Sequence, residues 1–207
     1  MKKPQPDRQE MEQEGADALE ALISRSVSNG RDPAPVEMWE PDNCRDIGLS
    51  IGADGTWLYK DSPIERERMV QLFSSVLRKD EDGQTYLVTP VEKVVVNVAD
   101  APFIAVECVS SGVGKNRVLT FRTNVGDVVE AGPDHPIHFD GAEEDGPLKP
   151  YLRVRGRLQA LATRAVTFDL VAMAEPMTVG DVEVLAVHSR GAVFPIAPMD
   201  RLEAMGE

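Results

Sequence analysis

The alternation of apolar and polar residues divides this chain into short β-strands interrupted by a few helical stretches. Apolar or small residues recur at every second position in runs such as Tyr151 to Leu158, which is the period of a strand with one buried face. Two stretches of the body have a helical pattern instead, one from Ser62 to about Arg78 and one after Leu158 that includes Arg164. The pattern therefore predicts an α+β fold of mostly antiparallel sheets, with one main helix in each half.

Turn residues separate the predicted strands. Asp54-Gly55 provides the positive φ of a tight hairpin, and Pro90 divides Tyr86 to Val98 into two strands because proline cannot donate to a central ladder. Ser62, Pro63 and Glu65 have the residue types of an N-cap, a first helical position and a capping box. The other predicted strands are Asp46 to Ser50, Thr56 to Lys60, Arg117 to Thr123, Val125 to Glu130, Asp134 to Phe139, Val182 to Val187 and Ala192 to Ile196.

The chain begins with a polar tail and a short amphipathic helix whose apolar stripe is Leu19, Leu22, Ile23 and Val27. Ser28 to Pro41 holds three prolines and reads as a strap, with Trp39 anchored on the body. We therefore expect a tail, helix and strap over residues 1–42, a first α+β repeat over 43–98, a larger second domain over 99–199 and a tail over 200–207.

One strand concentrates positive charge. In PYLRVRGRL, Tyr151, Arg153, Arg155 and Arg157 alternate with small and apolar residues, which predicts a row of side chains on one wet face. Successive same-face positions of a strand lie about 6.5 to 7 Å apart, so the guanidiniums are spaced to hold a phosphate or carboxylate. The alternative is that these arginines only pair with carboxylates of the sheet.

The two halves also repeat one another in pattern. An alignment of the two halves that places Thr56 on Leu152 also places Arg68 on Arg164 and Tyr86 on Val182. The predicted strand, helix and strand then coincide, although few residues are identical. We interpret this as an internal duplication. This shift places the arginine strand opposite Trp57 and Tyr59, and arginines and aromatic rings would then meet at a cleft between the two copies.

Four strings together resemble a known family: GADGTWLYKDSPI, YLVTPVEKVVVNVADAPF, LTFRTNVGDVVEAGPDHPIHF and PYLRVRGRLQAL. They resemble the proteobacterial domain-of-unknown-function family numbered twelve eighty-five, over roughly Trp39 to Ile196. The resemblance implies a duplicated α+β core, a C-terminal domain similar to the partly open pleckstrin-homology barrel, a ligand site between the domains and a role in signalling. It brings no established catalytic residue.

Composition limits the function classes. The 22 basic and 35 acidic residues give a formal charge of −13, which argues against coating nucleic acid through its phosphates. Two cysteines, Cys44 and Cys108, form no CxxC pair, which favours a reduced, cytoplasmic setting. No run approaches the ~20 apolar residues of a membrane helix, and we expect no membrane span.

The remaining motifs favour no cofactor or metal. SSGVGKN lacks the spacing of a phosphate loop and reads as a hairpin turn, and His135 and His138 in DHPIHF lack further ligands in a suitable frame. Glu92 is the most plausible single acid, although it can equally cap a strand or pair with an arginine. No nucleophile or paired acid-base motif is visible.

The sequence therefore predicts a ligand-binding or interaction module for a small anionic ligand, nucleotide-like or derived from nucleic acid. A protein partner bound through the second domain is a close variant. The alternative is an enzyme in the same cleft, such as a hydrolase of phosphorylated metabolites. The ligand-binding residues predicted are Tyr151, Arg153, Arg155, Arg157, Arg164, Trp57, Tyr59 and Glu92.

Overall fold

The computed structural model describes residues 34–141 and 146–200, which form two compact units that divide between Asp100 and Ala101. The amphipathic helix predicted at Leu19 to Val27, most of the acidic loop after Phe139 and the C-terminal tail lie outside the described residues. Both units are built mainly from antiparallel strands and each contains one α-helix, so the α+β class and the two-domain organisation are confirmed.

Within residues 34–100, the N-terminal unit consists of a six-stranded sheet and one α-helix, preceded in the chain by a short 3-10 turn, Val36–Met38. Its strands lie in the order β3-β2-β1-β6-β5-β4, and β1 and β6 are parallel at the centre while every other pair is antiparallel. The elements are β1 (Cys44–Ile51), β2 (Trp57–Tyr59), β3 (Ser62–Pro63), α1 (Glu67–Ser75), β4 (Leu77–Lys79), β5 (Thr85–Val88) and β6 (Lys93–Val98).

The C-terminal unit holds a second six-stranded sheet, a helix and a three-stranded sheet. The six strands lie in the order β10-β11-β12-β7-β8-β9, and β13-β14-β15 form the smaller sheet. The elements are β7 (Phe103–Ser111), β8 (Val118–Thr123), β9 (Val128–Glu130), β10 (Ile137–Asp140), β11 (Lys149–Arg155), β12 (Leu158–Ala162), α2 (Arg164–Ala172), β13 (Glu175–Val179), β14 (Val182–Ser189) and β15 (Ala192–Pro198).

The two large sheets share one topology. If the strands of each sheet are numbered from one to six along the chain, both sheets read 3-2-1-6-5-4, with the first and sixth strands parallel and all other neighbours antiparallel. A parallel central pair flanked by two antiparallel meanders is a specific arrangement, and its recurrence supports the duplication.

The equivalence of the two copies differs from the shift suggested by sequence. That shift carries the β2 strand onto β11, but β2 is the second strand of its sheet and β11 is the fifth. The reason is the position of the helix: α1 lies between the third and fourth strands of its copy, whereas α2 follows the sixth strand. A shift that superposes the helices therefore cannot superpose the sheets, and β11 corresponds to β5.

The first helix begins later than the capping pattern predicts. Ser62 and Pro63 form the edge strand β3, whose register places Pro63 opposite Leu58, and the Ile64 amide donates to the Trp57 carbonyl at 2.8 Å. Proline is tolerated there because an edge strand leaves one side of its backbone unpaired. The α1 helix starts at Glu67 and ends at Ser75, and the residues predicted as its last turn form strand β4.

The second helix is also shorter than predicted, because LQALA forms strand β12 instead of a helical turn. This segment pairs with both β11 and β7, so the ladders on its two sides outweigh the helix preference of its alanine and leucine residues. Thr163 then caps α2 by accepting a hydrogen bond from the Val166 amide. Strand β13, which follows this helix, was not predicted.

Several turns were predicted correctly. Gly55 has a φ of 82°, and β1 and β2 pair as an antiparallel hairpin around it. Thr89 to Glu92 forms the turn between β5 and β6, with the Thr89 hydroxyl donating to the Glu92 carbonyl at 2.9 Å. Pro90 therefore separates two strands, as its missing N–H requires.

A buried serine joins the two sheets of the C-terminal unit. The Ser189 hydroxyl donates to the Ala131 carbonyl at 2.7 Å and accepts from the Leu119 amide at 2.9 Å. Ser189 is fully buried, so both hydrogen bonds are shielded from water and connect β14 to the end of β9 and to β8. Among the described residues, no helix is long and apolar enough to cross a membrane.

Candidate functional site

A bulge in β11 divides the arginines that the alternating pattern places in one row. Arg153 pairs with Gln159 of β12, but Arg155 pairs with Leu158, one residue further along instead of two. Neighbouring residues of a strand point to opposite faces, so Arg153 and Arg155 lie on opposite faces of the sheet. The row of three guanidiniums predicted from sequence is therefore not present in the fold.

Arg155 belongs to the core side of the sheet. Its guanidinium stands 4.9 Å from the ring centroid of Phe103, which is fully buried, and donates to the Asp127 carboxylate at 2.9 Å. Asp127 lies in the turn between β8 and β9, three strands from β11 in the order β11-β12-β7-β8. Three strand spacings span about 14 Å in a flat sheet, so this contact indicates that the sheet curls into a half-barrel.

Arg157 and Arg164 lie away from the strand face. Arg157 is exposed in the turn that joins β11 to β12, next to Gly156 with its φ of 49°. Arg164 is the first residue of α2, and its guanidinium stands 5.4 Å from the ring centroid of Phe168. The structure therefore brings neither side chain into line with Arg153.

Arg153 is the arginine of β11 that remains exposed on the opposite face. Within residues 34–141 and 146–200, no carboxylate lies within ion-pair distance of its guanidinium. Tyr151, two residues earlier, lies on the same face. His138 of β10 is the ladder partner of Tyr151, and Gln159 of β12 is the ladder partner of Arg153. We call these four residues, with His135, the Arg153 face.

Two imidazoles border Arg153. The His138 ring stacks on Tyr151, with ring centroids 5.0 Å apart and an interplanar angle of 13°. The His135 Nδ1 lies 3.1 Å from the carbonyl oxygen of Arg153 itself. Sequence reasoning weighed this pair only as metal ligands, and in the described part of the chain no group of three or more metal-ligating side chains is assembled. The position of the two histidines is determined by the register of β10 against β11, which cannot be read from the amino-acid sequence.

The residues predicted in the first repeat belong to the N-terminal unit. Trp57 is almost fully buried and its ring packs against Phe73, with centroids 6.0 Å apart. Tyr59 is 9% exposed, and Lys60 stands over its ring at 5.2 Å. These two side chains fill the core and its edge, so neither presents a free ring face to a ligand.

Glu92 is a buried carboxylate with a structural partner. It is 5% exposed and forms an ion pair with Arg45 of β1, while its amide donates to the Thr89 hydroxyl at 3.1 Å. Of the roles open to Glu92 from sequence, the structure shows the pairing with an arginine, and that arginine is Arg45. Glu92 therefore closes the turn between β5 and β6 onto the neighbouring strand.

Another ionic network holds the strap on the N-terminal unit. Arg78 is 5% exposed, donates to the Val36 and Trp39 carbonyls at 2.8 and 2.7 Å, and pairs with Asp80 at 2.6 Å. Burial alone would raise the pKa of Asp80, but hydrogen bonds from Arg78 and Lys93 outweigh it, and the pKa lies below the ordinary carboxyl value. The strap is thus fastened by buried hydrogen bonds.

Together, fold and site define a two-unit α+β protein with a repeated six-stranded sheet and, in its second copy, a solvent-exposed arginine two residues from a stacked tyrosine and histidine. Two family models match: the N-terminal domain of the domain of unknown function DUF1285 over residues 34–101, and the DUF1285 C-terminal domain over residues 102–196. The chain therefore belongs to the DUF1285 family, whose function is uncharacterised, and the resemblance seen in the sequence is confirmed.

A solved structure agrees with this assignment. A DUF1285 family protein from Silicibacter pomeroyi DSS-3 is 40% identical, with a TM-score of 0.78 over 89% of this chain and 97% of that one. A DUF1285 family protein from Shewanella baltica OS155 is 26% identical, with a TM-score of 0.48 over 60% of this chain and 91% of that one. No protein with curated function matches this chain.

Proposed function

We propose that this protein is a binding module whose C-terminal unit takes a small anionic ligand at Arg153. The observation that carries the proposal is an exposed guanidinium without a carboxylate neighbour among the described residues, in a chain whose formal charge is −13. Some exposed arginines of this protein have an acidic partner, as Arg122 does with Glu107 at 2.8 Å. An arginine that lacks one keeps its donors available for an anion.

The surroundings of Arg153 suit a ligand that carries both charge and a ring. Gln159 adds an amide opposite Arg153, and the His138 and Tyr151 stack lies one pair of residues further along the strands. A nucleotide-like or nucleic-acid-derived ligand has both features, and a phosphate or carboxylate matches the planar fork of the guanidinium. The signalling role implied by the resemblance and the cytoplasmic location suggested by the two cysteines remain predictions.

The test is a thermal-shift screen against nucleotides, cyclic dinucleotides and short oligonucleotides. A ligand that binds only the native state stabilises it by about 2.7 kcal/mol at a hundred times its dissociation constant. We expect stabilisation of the wild type and of Arg164→Gln, and none of Arg153→Gln. Arg164 is the matched control, because it is also exposed and also lacks an ion pair within the part of the chain described.

Equal stabilisation of both variants would place the ligand elsewhere and reject the proposal. Absence of any shift with the whole set would reject these ligand classes. A ligand that is turned over on binding would instead favour the enzyme alternative.

A further inference from the structure

We propose that His135 and His138 are further binding residues of the Arg153 face, and that this face therefore holds its anion more tightly as the imidazoles gain protons. The inference rests on the function proposed above and adds its regulation. It starts from the DHPIHF segment: His135 contacts the backbone carbonyl of Arg153, and His138 stacks on Tyr151, two residues before Arg153 in β11.

The His135 contact defines which ring nitrogen takes up the second proton. A carbonyl oxygen can only accept, so Nδ1 of His135 carries a hydrogen where it meets the Arg153 carbonyl. Its second nitrogen, Nε2, is then the acceptor. A proton bound there would place a positive charge next to the residue that carries the guanidinium.

The His138 contact is compatible with a charged ring. His138 stacks on Tyr151, and a cation over an aromatic face is stabilised by the electrons of that face. His138 belongs to the same ladder position as Tyr151, so it lies about 7 Å along the strands from the position of Arg153. Imidazole is the side chain that changes charge between about pH 5 and pH 8.

The other charged groups around these rings are few. Asp140 lies 3.9 Å from His138 Nε2 and Lys149 is its partner in the ladder, while Asp134 adjoins His135 in sequence. Arg190 packs against Gly132 and is paired with Glu130. The strand β15, which packs beside β10, contributes no titratable side chain.

The size of the effect follows from Coulomb's law. A unit charge added about 7 Å from a dianion in a water-rich surface site changes its affinity by about tenfold. Sulfate is the suitable probe, because it stays a dianion over the whole range and brings no ring of its own. The affinity of wild-type protein for sulfate should therefore rise about tenfold from about pH 8 to about pH 5.5 at constant ionic strength.

The measurement is a sulfate titration followed by the ring resonances of the histidines. The chain has three histidines, and the third, His188, contacts the Gly114 carbonyl instead and is the internal control. We expect sulfate to shift the His135 and His138 resonances and to leave His188 unchanged. In His135→Gln/His138→Gln, the change of affinity with pH should fall below about threefold, although the whole-protein charge still changes.

The outcomes separate this inference from the proposed function. Sulfate affinity that needs Arg153 but is the same at both pH values overturns the role of the histidines alone. An unchanged pH dependence in the double variant overturns it as well. Sulfate that binds Arg153→Gln as it binds the wild type, or binds at neither pH, rejects the Arg153 site and the proton linkage with it.

Discussion

Arg155 of β11 donates to Asp127, which follows β8, at 2.9 Å, although three strand spacings separate the two strands. The ring of Phe103 lies against the guanidinium. The contact exists because the bulge in β11 turns Arg155 to the face opposite Arg153. Two arginines that are two residues apart thus have different roles: Arg155 stabilises the curled sheet, and Arg153 faces solvent.

Stability should separate these two arginines. We expect Arg155→Gln to lower the free energy of unfolding of the C-terminal unit by about 1 to 3 kcal/mol, because it leaves the partly buried Asp127 carboxylate without its partner. Arg153→Gln should change it by less than about 0.5 kcal/mol. Both tryptophans, Trp39 and Trp57, belong to the N-terminal unit, so urea unfolding of the C-terminal unit is followed by circular dichroism.

Asp127→Asn and the double variant Arg155→Gln/Asp127→Asn complete a double-mutant cycle for this pair. If the contact is the cause, the two single changes should not add in the double variant. Additive effects, or equal losses for Arg153→Gln and Arg155→Gln, would contradict the division of roles between the two faces.

The fold class can be predicted from the sequence because hairpin turns and the alternating pattern of strands depend on residues that are close together in the chain. Asp54-Gly55 and Pro90 mark their turns through φ and a missing N–H, and both are placed correctly. The bulge between Arg153 and Arg155 is set by the partner strand β12, and a period-2 pattern contains no information about the partner. For the same reason LQALA reads as helix until its two neighbours in the sheet are known.

The candidate site shows the same limit. Arg153 is visible in the sequence as charge, but the separation of Arg155 and the approach of His138 depend on ladder register. Trp57 and Tyr59 form an aromatic pattern that suits a ligand as well as a core, and their burial in the N-terminal unit is decided by packing against residues such as Phe73.

Acid should destabilise the N-terminal unit through Asp80. Because its pKa is lower in the folded state than the ordinary value of about 4, the carboxylate adds stability above that value and loses it as the pH falls through the folded pKa. We expect the stability of this unit to fall over that range. Tryptophan fluorescence during urea unfolding at a series of pH values measures it.

The matched control for this titration is Asp80→Asn, which removes the titrating group and keeps the shape. The variant should be less stable than wild type at neutral pH, and the difference should shrink as the pH falls below about 4. A difference that stays constant with pH would show that Asp80 acts through packing alone.

The two cysteines should differ in reactivity. Cys44 is exposed, whereas burial, with a smaller effect of the Asp169 charge, raises the pKa of Cys108 to about 12. Only the thiolate attacks a disulfide reagent, so Cys108 is protonated and unreactive at neutral pH. With an aromatic disulfide reagent, native protein should release one equivalent of thiolate quickly, and denatured protein two.

Cys44→Ala tests the assignment, since it should abolish the fast phase and leave one thiol that reacts only after unfolding. A fast phase that survives this substitution would mean that Cys108 is accessible.

We expect the hydrogen bonds of Arg78 to hold the strap on the N-terminal unit. Its guanidinium donates to the carbonyls of Val36 and Trp39 while it is 5% exposed, so Arg78→Met leaves these two carbonyls without their donor and removes one of the two cations that bind the Asp80 carboxylate. We expect a loss of about 3 kcal/mol in the stability of the N-terminal unit, the scale for breaking a buried ion pair. The strap should also loosen in the native state, and Trp39 should become more accessible to acrylamide.

Quenching isolates the strap because Trp57 is only 1% exposed and contributes little to it. Lys79→Met is the control: Lys79 is the next residue on β4, is half-buried and forms no ion pair among the described residues. It should leave both the stability and the quenching of Trp39 near the wild-type values. If Arg78→Met unfolds at the wild-type urea concentration with unchanged quenching, the strap is held by the packing of Val36 and Trp39 rather than by the arginine.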